Sequence, residues 1–192
     1  MTERKIPARV FAHAAQDAET AKKTLSTPQT DSPSYKLAFQ DDAFLLRDDL
    51  RPVRFQLELL KPELLLDEAK IASTLVFYGS ARIPAPGVAS THPDTDVAKN
   101  LEALSPYYEE ARKLAQIASR VPRDEDGRRH LVVCSGGGPS IMEAANRGAD
   151  DVKADSIALN IVLPHEQVPN PYVTPELSFQ FHYFALRKMH FL

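Results

Sequence analysis

The chain has 192 residues, 43% hydrophobic and 26% charged, with a formal net charge of -3 and a single cysteine. That length supplies a core for one globular domain plus an extension. The charge gives no footing for a dedicated nucleic-acid surface, and one thiol excludes an internal disulfide framework and fits a reducing cytoplasm. The first ten residues are charged and broken by Pro7, with no apolar stretch behind them. No run reaches the roughly 18 apolar residues of a membrane span, so neither a signal peptide nor a membrane anchor is expected.

In chain order, residues 1–72 read as an N-terminal extension, weakly ordered over 1–35 and helical later. A short polar helix is expected over 14–24, and the Ser, Thr and Pro residues of 26–34 make a loop. Over 41–70, Phe44, Leu45, Leu46, Phe55, Leu57, Leu59 and Leu60 alternate with Arg and Asp. That pattern predicts one or two amphipathic helices, interrupted near Pro52 and Pro62, that bury one face on the main domain or on a partner subunit.

The main domain is expected over 73–192. Residues 74–78 form a short apolar run stopped by Gly79, which reads as a buried strand. A proline-rich excursion over 83–93 precedes a helical stretch over 97–120 that Pro106 divides. Residues 131–134 give a second strand ending in Ser135 and three glycines. A helix over 139–147 is expected to close at Gly148. Residues 156–163 give a third strand, and 178–192 read as an aromatic-rich helix. Strands alternating with helices at this spacing predict an α/β fold, a Rossmann-like parallel sheet flanked by helices. Ligands of such sheets bind at the carboxyl ends of the strands.

Gly136-Gly-Gly-Pro-Ser-Ile-Met-Glu143 carries the strongest chemical signal. Gly136, Gly137 and Gly138 let the backbone turn tightly and approach a ligand without Cβ interference. The helix behind them offers unpaired amides and the positive end of its dipole, the ordinary means of holding a phosphate. No Lys-Ser/Thr follows, so this is not a Walker A loop, and it is not a clean GxGxxG fingerprint either. Gly79, Ser80 and Arg82 follow the first strand, where Ser80 can donate to a phosphate or sugar and Arg82 can grip a phosphate through its donor fork. Glu143 serves either as a ligand contact or as the second half of a capping box with Ser140, and Arg147 lies at i,i+4 from it.

Pro164-His165-Glu166 follows the third strand, but no metal-ligand spacing exists anywhere in the chain and no metal is expected. Asn170 is a candidate sugar or base contact. Phe184, Arg187 and Lys188, at i, i+3 and i+4, give a mixed apolar and basic helix face able to reach the crevice. Cys134 reads as buried strand filler.

Four blocks in order resemble one family. Phe77-Tyr-Gly-Ser-Ala-Arg82, Ser135-Gly-Gly-Gly-Pro-Ser-Ile-Met-Glu-Ala-Ala-Asn-Arg-Gly-Ala149, Ser156-Ile-Ala-Leu-Asn-Ile-Val-Leu-Pro-His-Glu166 with Asn170-Pro-Tyr172, and Phe184-Ala-Leu-Arg-Lys188 look like the Lonely Guy (LOG) family, once labelled lysine decarboxylase-like. The arm from Asp48 to Glu63 is similar to that of its longer bacterial members. The resemblance implies a Rossmann-like fold and hydrolysis of the N-glycosidic bond of a purine nucleoside 5'-monophosphate, a cytokinin riboside monophosphate or AMP, to free base and ribose 5-phosphate. It implies no metal or organic cofactor and a cytoplasmic homodimer. Carried over by position, Ser80 and Arg82 line the nucleotide site, Glu143 borders it, and Arg187 matches the arginine that supports catalysis, with Lys188 beside it.

One departure stands out. The family's second glycine block, Pro-Gly-Gly-x-Gly-Thr-x-x-Glu, has no counterpart in these 192 residues. The expectation is therefore a shortened form of a protein of about 270–300 residues, on the family's pattern and the usual size of such domains, with little or no hydrolysis of its own. A nucleotide-binding module without catalysis, or an AMP nucleosidase, are the alternatives. An amino-acid decarboxylase is disfavoured, because that chemistry needs an electron sink such as pyridoxal phosphate on a lysine.

Overall fold

The computed structural model describes residues 13–164 and 168–192. The chain forms two compact units, Met1–Arg54 and Phe55–Leu192. In the first, α1 (Ala14–Ala21) and α2 (Asp42–Leu45) are joined by short 3-10 turns. Asp41 caps α2, its side chain accepting from the Phe44 amide at 3.2 Å.

Helix α3 (Arg51–Glu68) is continuous, where interruptions near both prolines were expected. Pro52 occupies its first turn, where the missing N–H costs nothing. Pro62 lies inside the helix and is buried, so tertiary packing outweighs its local penalty. The C-terminal part of this helix belongs to the sheet domain, because Leu65, Leu66 and Ala69 pack into its core.

Four parallel strands make the sheet: β1 (Thr74–Phe77), β2 (Val132–Ser135), β3 (Ile157–Ile161) and β4 (Ser178–Phe181), in the spatial order β1-β2-β3-β4. Thr74 pairs with Val132, Cys134 with Ile157 and Ala158 with Ser178. With flanking helices this is the expected α/β, Rossmann-like architecture. Helices α4 (Thr95–Ala103) and α5 (Pro106–Ala118) connect β1 to β2, and α6 (Ile141–Asp151) connects β2 to β3. Pro106 starts α5, as its fixed φ favours.

Side chains alternate across each strand. Val132 and Cys134, with Ile157, Leu159, Phe179 and Phe181, join Leu186, Phe191 and the α3 residues in one cluster. Leu75, Phe77 and Val133 meet Ala115, Ala145 and Ala149 of α5 and α6 in the other. Period-two alternation with both faces covered is the signature of a buried parallel sheet.

Two expected elements differ. Ser178–Phe181 is a strand rather than the start of a helix, because its alternation turns Phe179 and Phe181 into the core and leaves Gln180 exposed. The closing helix α7 is confined to Phe184–Met189. Gly148 does not end α6; the helix runs on to Asp151. A Cβ at Gly148 would lie 2.8 Å from the Ala115 Cβ and overlap the Arg112 carbonyl, so this glycine lets α5 and α6 approach closely. Among the described residues, no helix is long and apolar enough to cross a membrane.

Candidate functional site

The glycine turn leaves β2 at its carboxyl end and enters α6, and its shape is fixed from beneath. Gly137 has a φ of +76°, a conformation open to glycine, and a Cβ there would sit 2.9 Å from Asn160 Cγ. Its amide donates to Ser135 Oγ at 3.0 Å. The Asn170 amide donates to Gly137 O at 2.8 Å, and Asn170 Nδ2 donates to the carbonyls of Gly137 and Gly138, each at 3.2 Å. Asn170 is thus 9% exposed and committed to the turn. That makes it a clamp on the cradle, with no donor held in reserve for a sugar.

Ser140, the residue before α6, has a φ of +65°. That is a costly conformation for a residue with a side chain, of the kind found where surrounding structure over-determines a site. Its hydroxyl donates to the Ile83 carbonyl and accepts from no amide of the helix, so the capping-box alternative for Glu143 does not form. Instead Glu143 Oε1 accepts from the Tyr108 hydroxyl at 2.8 Å. Tyr108 is 1% exposed, and burial is the main cause pushing its phenol up to about 12. Arg147 approaches the same hydroxyl, which raises the guanidinium pKa, and lies 5.4 Å from the Tyr172 ring. The expected Glu143–Arg147 contact is therefore relayed through Tyr108.

Arg187 completes the arrangement from the opposite face of the sheet. Glu58 of α3 accepts from the His182 and Tyr183 amides at 2.8 and 3.0 Å, placing a carboxylate at the N-terminus of α7. Helix α7 then directs Arg187 under the turn. Its Nε donates to Leu159 O at 2.6 Å, and its guanidinium lies 5.3 Å from the Phe191 ring. A Cβ on Gly136 would come within 2.7 Å of Arg187 Nη2, so the first glycine makes room for this arginine. Burial lowers the Arg187 pKa. Among the described residues no carboxylate lies within ion-pair distance of it.

A cavity of about 650 Å³ opens over these groups, lined by Gly136, Gly137, Gly138, Glu143, Asn160, Asn170 and Arg187 together with apolar side chains such as Met142 and Phe184. Its size and its few convergent polar groups are those of a small-molecule site. Of the first-turn amides of α6, Ile141 donates to Ser80 O at 3.3 Å. Those of Met142 and Glu143 have no acceptor among the described residues, which leaves donors at the positive helix end where an oxyanion is stabilised.

The other expected residues separate from this cavity. Gly79 touches it only indirectly: a Cβ there would stand 2.5 Å from Ile141 Cβ, so the glycine lets β1 abut α6. Arg82 is exposed, and its amide donates to Ser80 Oγ at 3.0 Å. It lines a neighbouring cavity of about 480 Å³ with Ile83, His92, Tyr108 and Glu143. Pro139 and Glu143 form the wall common to both cavities. Lys188 lines an adjoining cavity with Tyr78, Arg187 and Phe191 and is not among the residues lining the one over the turn. His165 and Glu166 lie outside the described residues. Cys134 is buried on β2 and burial holds its thiol at about 12, as strand filler requires.

Sequence reasoning passed over Tyr108 and Asn146. Asn146 stands among alanines on the buried face of α6, a polar residue where the helical pattern calls for an apolar one, and that was the readable sign. The sequence matches no protein-family model and none of the curated proteins.

Proposed function

We propose that the cavity binds the phosphoester end of a purine nucleoside 5'-monophosphate and serves hydrolysis of its N-glycosidic bond to free base and ribose 5-phosphate, with low turnover expected of these 192 residues, which lack the LOG family's second glycine block. The observation that carries this reading is Arg187, a half-buried guanidinium without a carboxylate partner among the described residues, lodged against a glycine turn at the carboxyl ends of parallel strands. A cation so placed is stabilised by an anionic ligand. The resemblance to the LOG family supports the substrate class, a cytokinin riboside monophosphate or AMP. It also supports a cytoplasmic homodimer that needs no metal or organic cofactor.

Departure of the base leaves positive charge on the ribose, which a nearby carboxylate stabilises while orienting water. Glu143 is the one carboxylate lining the cavity among the described residues, and Tyr108 fixes its free oxygen's direction. Arg187 is unsuited to stabilising that positive charge, since like charges repel; it serves the phosphate or the leaving base.

A second reading, a nucleotide-binding module without catalysis, is favoured by the Tyr108 bond, which already occupies one of the two Glu143 oxygens. Chromatography of free base released from AMP and from N6-isopentenyladenosine 5'-monophosphate separates the two. Base release abolished by Glu143→Gln supports hydrolysis. Nucleotide binding with no base released supports the module, and no binding at all overturns both.

A further inference from the structure

We propose that Asn146 is the positioning residue of the glycine turn, its side-chain oxygen holding Ser135 and Asn170 together so that the Gly137 and Gly138 carbonyls face inward and the remaining amides are left to an oxyanion. The inference rests on the reading of the turn as an oxyanion site and assigns the geometry of that site to one buried side chain.

Asn146 is fully buried on α6. Its Oδ1 accepts from Ser135 Oγ at 2.7 Å and from Asn170 Nδ2 at 2.9 Å. Its Nδ2 donates to Ser156 Oγ at 3.0 Å and reaches Ile157 O at 3.4 Å. All four hydrogen-bonding positions of the carboxamide are therefore used. The two partners of Oδ1 are also the groups that grip the turn: Ser135 Oγ accepts from the Gly137 amide, and Asn170 Nδ2 donates to both turn carbonyls. The two partners of Nδ2, by contrast, lead away to β3 and, through Ser156, to Tyr172 O.

The division has a consequence for which amides a ligand meets. A turn whose carbonyls point into the cavity repels an anion, and a turn whose carbonyls are drawn inward attracts one. Backbone turns of this kind flip readily unless both sides are held. Asn146 holds both sides through one atom, and no other side chain among the described residues bonds to Ser135 Oγ and Asn170 Nδ2 together.

Replacement by Asp provides a chemical signature. A protonated Asp keeps three of the four contacts, with one oxygen accepting from Ser135 and Asn170 and an O–H donating to Ser156. An ionised Asp loses that donation and places a negative charge beneath the turn, and burial raises the pH at which it ionises.

The experiment uses the whole chain and sulfate, which stays a dianion throughout, with binding followed by calorimetry and folding checked at each pH by circular dichroism. Wild-type sulfate affinity at each pH is the reference for the variants, because Glu143 lines the same cavity. Asn146→Ala loses at least about tenfold in affinity, the cost of one charge-assisted contact. Ser156→Ala, which cuts the network on the far side, lowers thermal stability and leaves affinity unchanged. Asn146→Asp binds poorly at neutral pH and recovers as the solution is acidified. If Asn146→Ala does not fold, Asn170→Ser cuts the same link from the cavity side and is expected to show the same loss. Equal sulfate affinity in wild type and the folded variants, or a loss in Ser156→Ala as large as in Asn146→Ala, overturns the positioning role while leaving the site reading intact. Failure of wild type to bind sulfate, phosphate or AMP overturns both.

Discussion

The two faces of the sheet are built from different materials. One is closed by large side chains, Leu159, Phe179, Phe181, Leu186 and Phe191, under α3 and α7. The other is closed by Ala115, Ala145 and Ala149 of α5 and α6, brought together at Gly148. The candidate site lies where the layers meet at the carboxyl ends of the strands: Arg187 comes from the first face, and the glycine turn with Glu143 comes from the second. A site shared by two layers is positioned by the packing of both, so a change in either is felt there.

The largest effect is expected on the alanine face. Gly148→Val forces two methyl groups against the Arg112 carbonyl and Ala115. It is expected to cost about 3 kcal/mol or more, since overpacking against backbone leaves little room to relax; thermal denaturation followed by circular dichroism reads the loss. Large-to-small changes on the other face, such as Leu186→Ala, cost about 2–5 kcal/mol and also displace α7.

Next in size is Arg187. Arg187→Ala is expected to lower nucleotide affinity or turnover about 100-fold, roughly 3 kcal/mol for a preorganised donor in a sheltered site, with little change in melting temperature. Lys188→Ala, outside the cavity over the turn, is expected to leave both within about twofold of wild type. Gly136→Ala tests the meeting of the layers directly: the new methyl displaces the Arg187 guanidinium, so ligand affinity falls while Arg187 itself is intact.

Tyr108→Phe comes next, losing the hydroxyl that donates to Glu143. A loss of about 1 kcal/mol in stability is expected for one buried hydrogen bond, checked by urea denaturation.

The smallest effect belongs to the ion pair that joins α5 to the end of α6. Arg112 and Gln116 hold the Asp151 carboxylate, lowering its pKa to about 2. A depressed folded-state pKa means stability fully present above the unfolded value near 3.8 and lost as pH falls through about 2. Because the pair is at the surface, the expected change is under about 1 kcal/mol. Acid titration of Arg112→Met beside wild type reads it.

Much of the fold was legible. Three of the four strands announced themselves as apolar runs closed by Gly79, Ser135 and Pro164, and Pro106 divided its helices as expected. Phe179 and Phe181 were misread because a four-residue alternation beside an aromatic helix is too short to separate period two from period 3.6. Gly148 was misread because a glycine near a helix end fits both a cap and a close helix contact, and the partner helix decides between them. At the site, the glycine turn and Arg187 were visible as motifs. The Tyr108–Glu143 bond and the Asn146 hub were not, since each depends on residues brought together by the fold from distant positions.

The most direct single measurement is calorimetric binding of AMP and of adenosine to this chain and to Arg187→Ala. Wild type is expected to bind AMP well above adenosine, and Arg187→Ala is expected to lose that preference. Equal affinity for AMP and adenosine, or an AMP preference that survives the loss of Arg187, would contradict the assignment of the cavity as a phosphoester site.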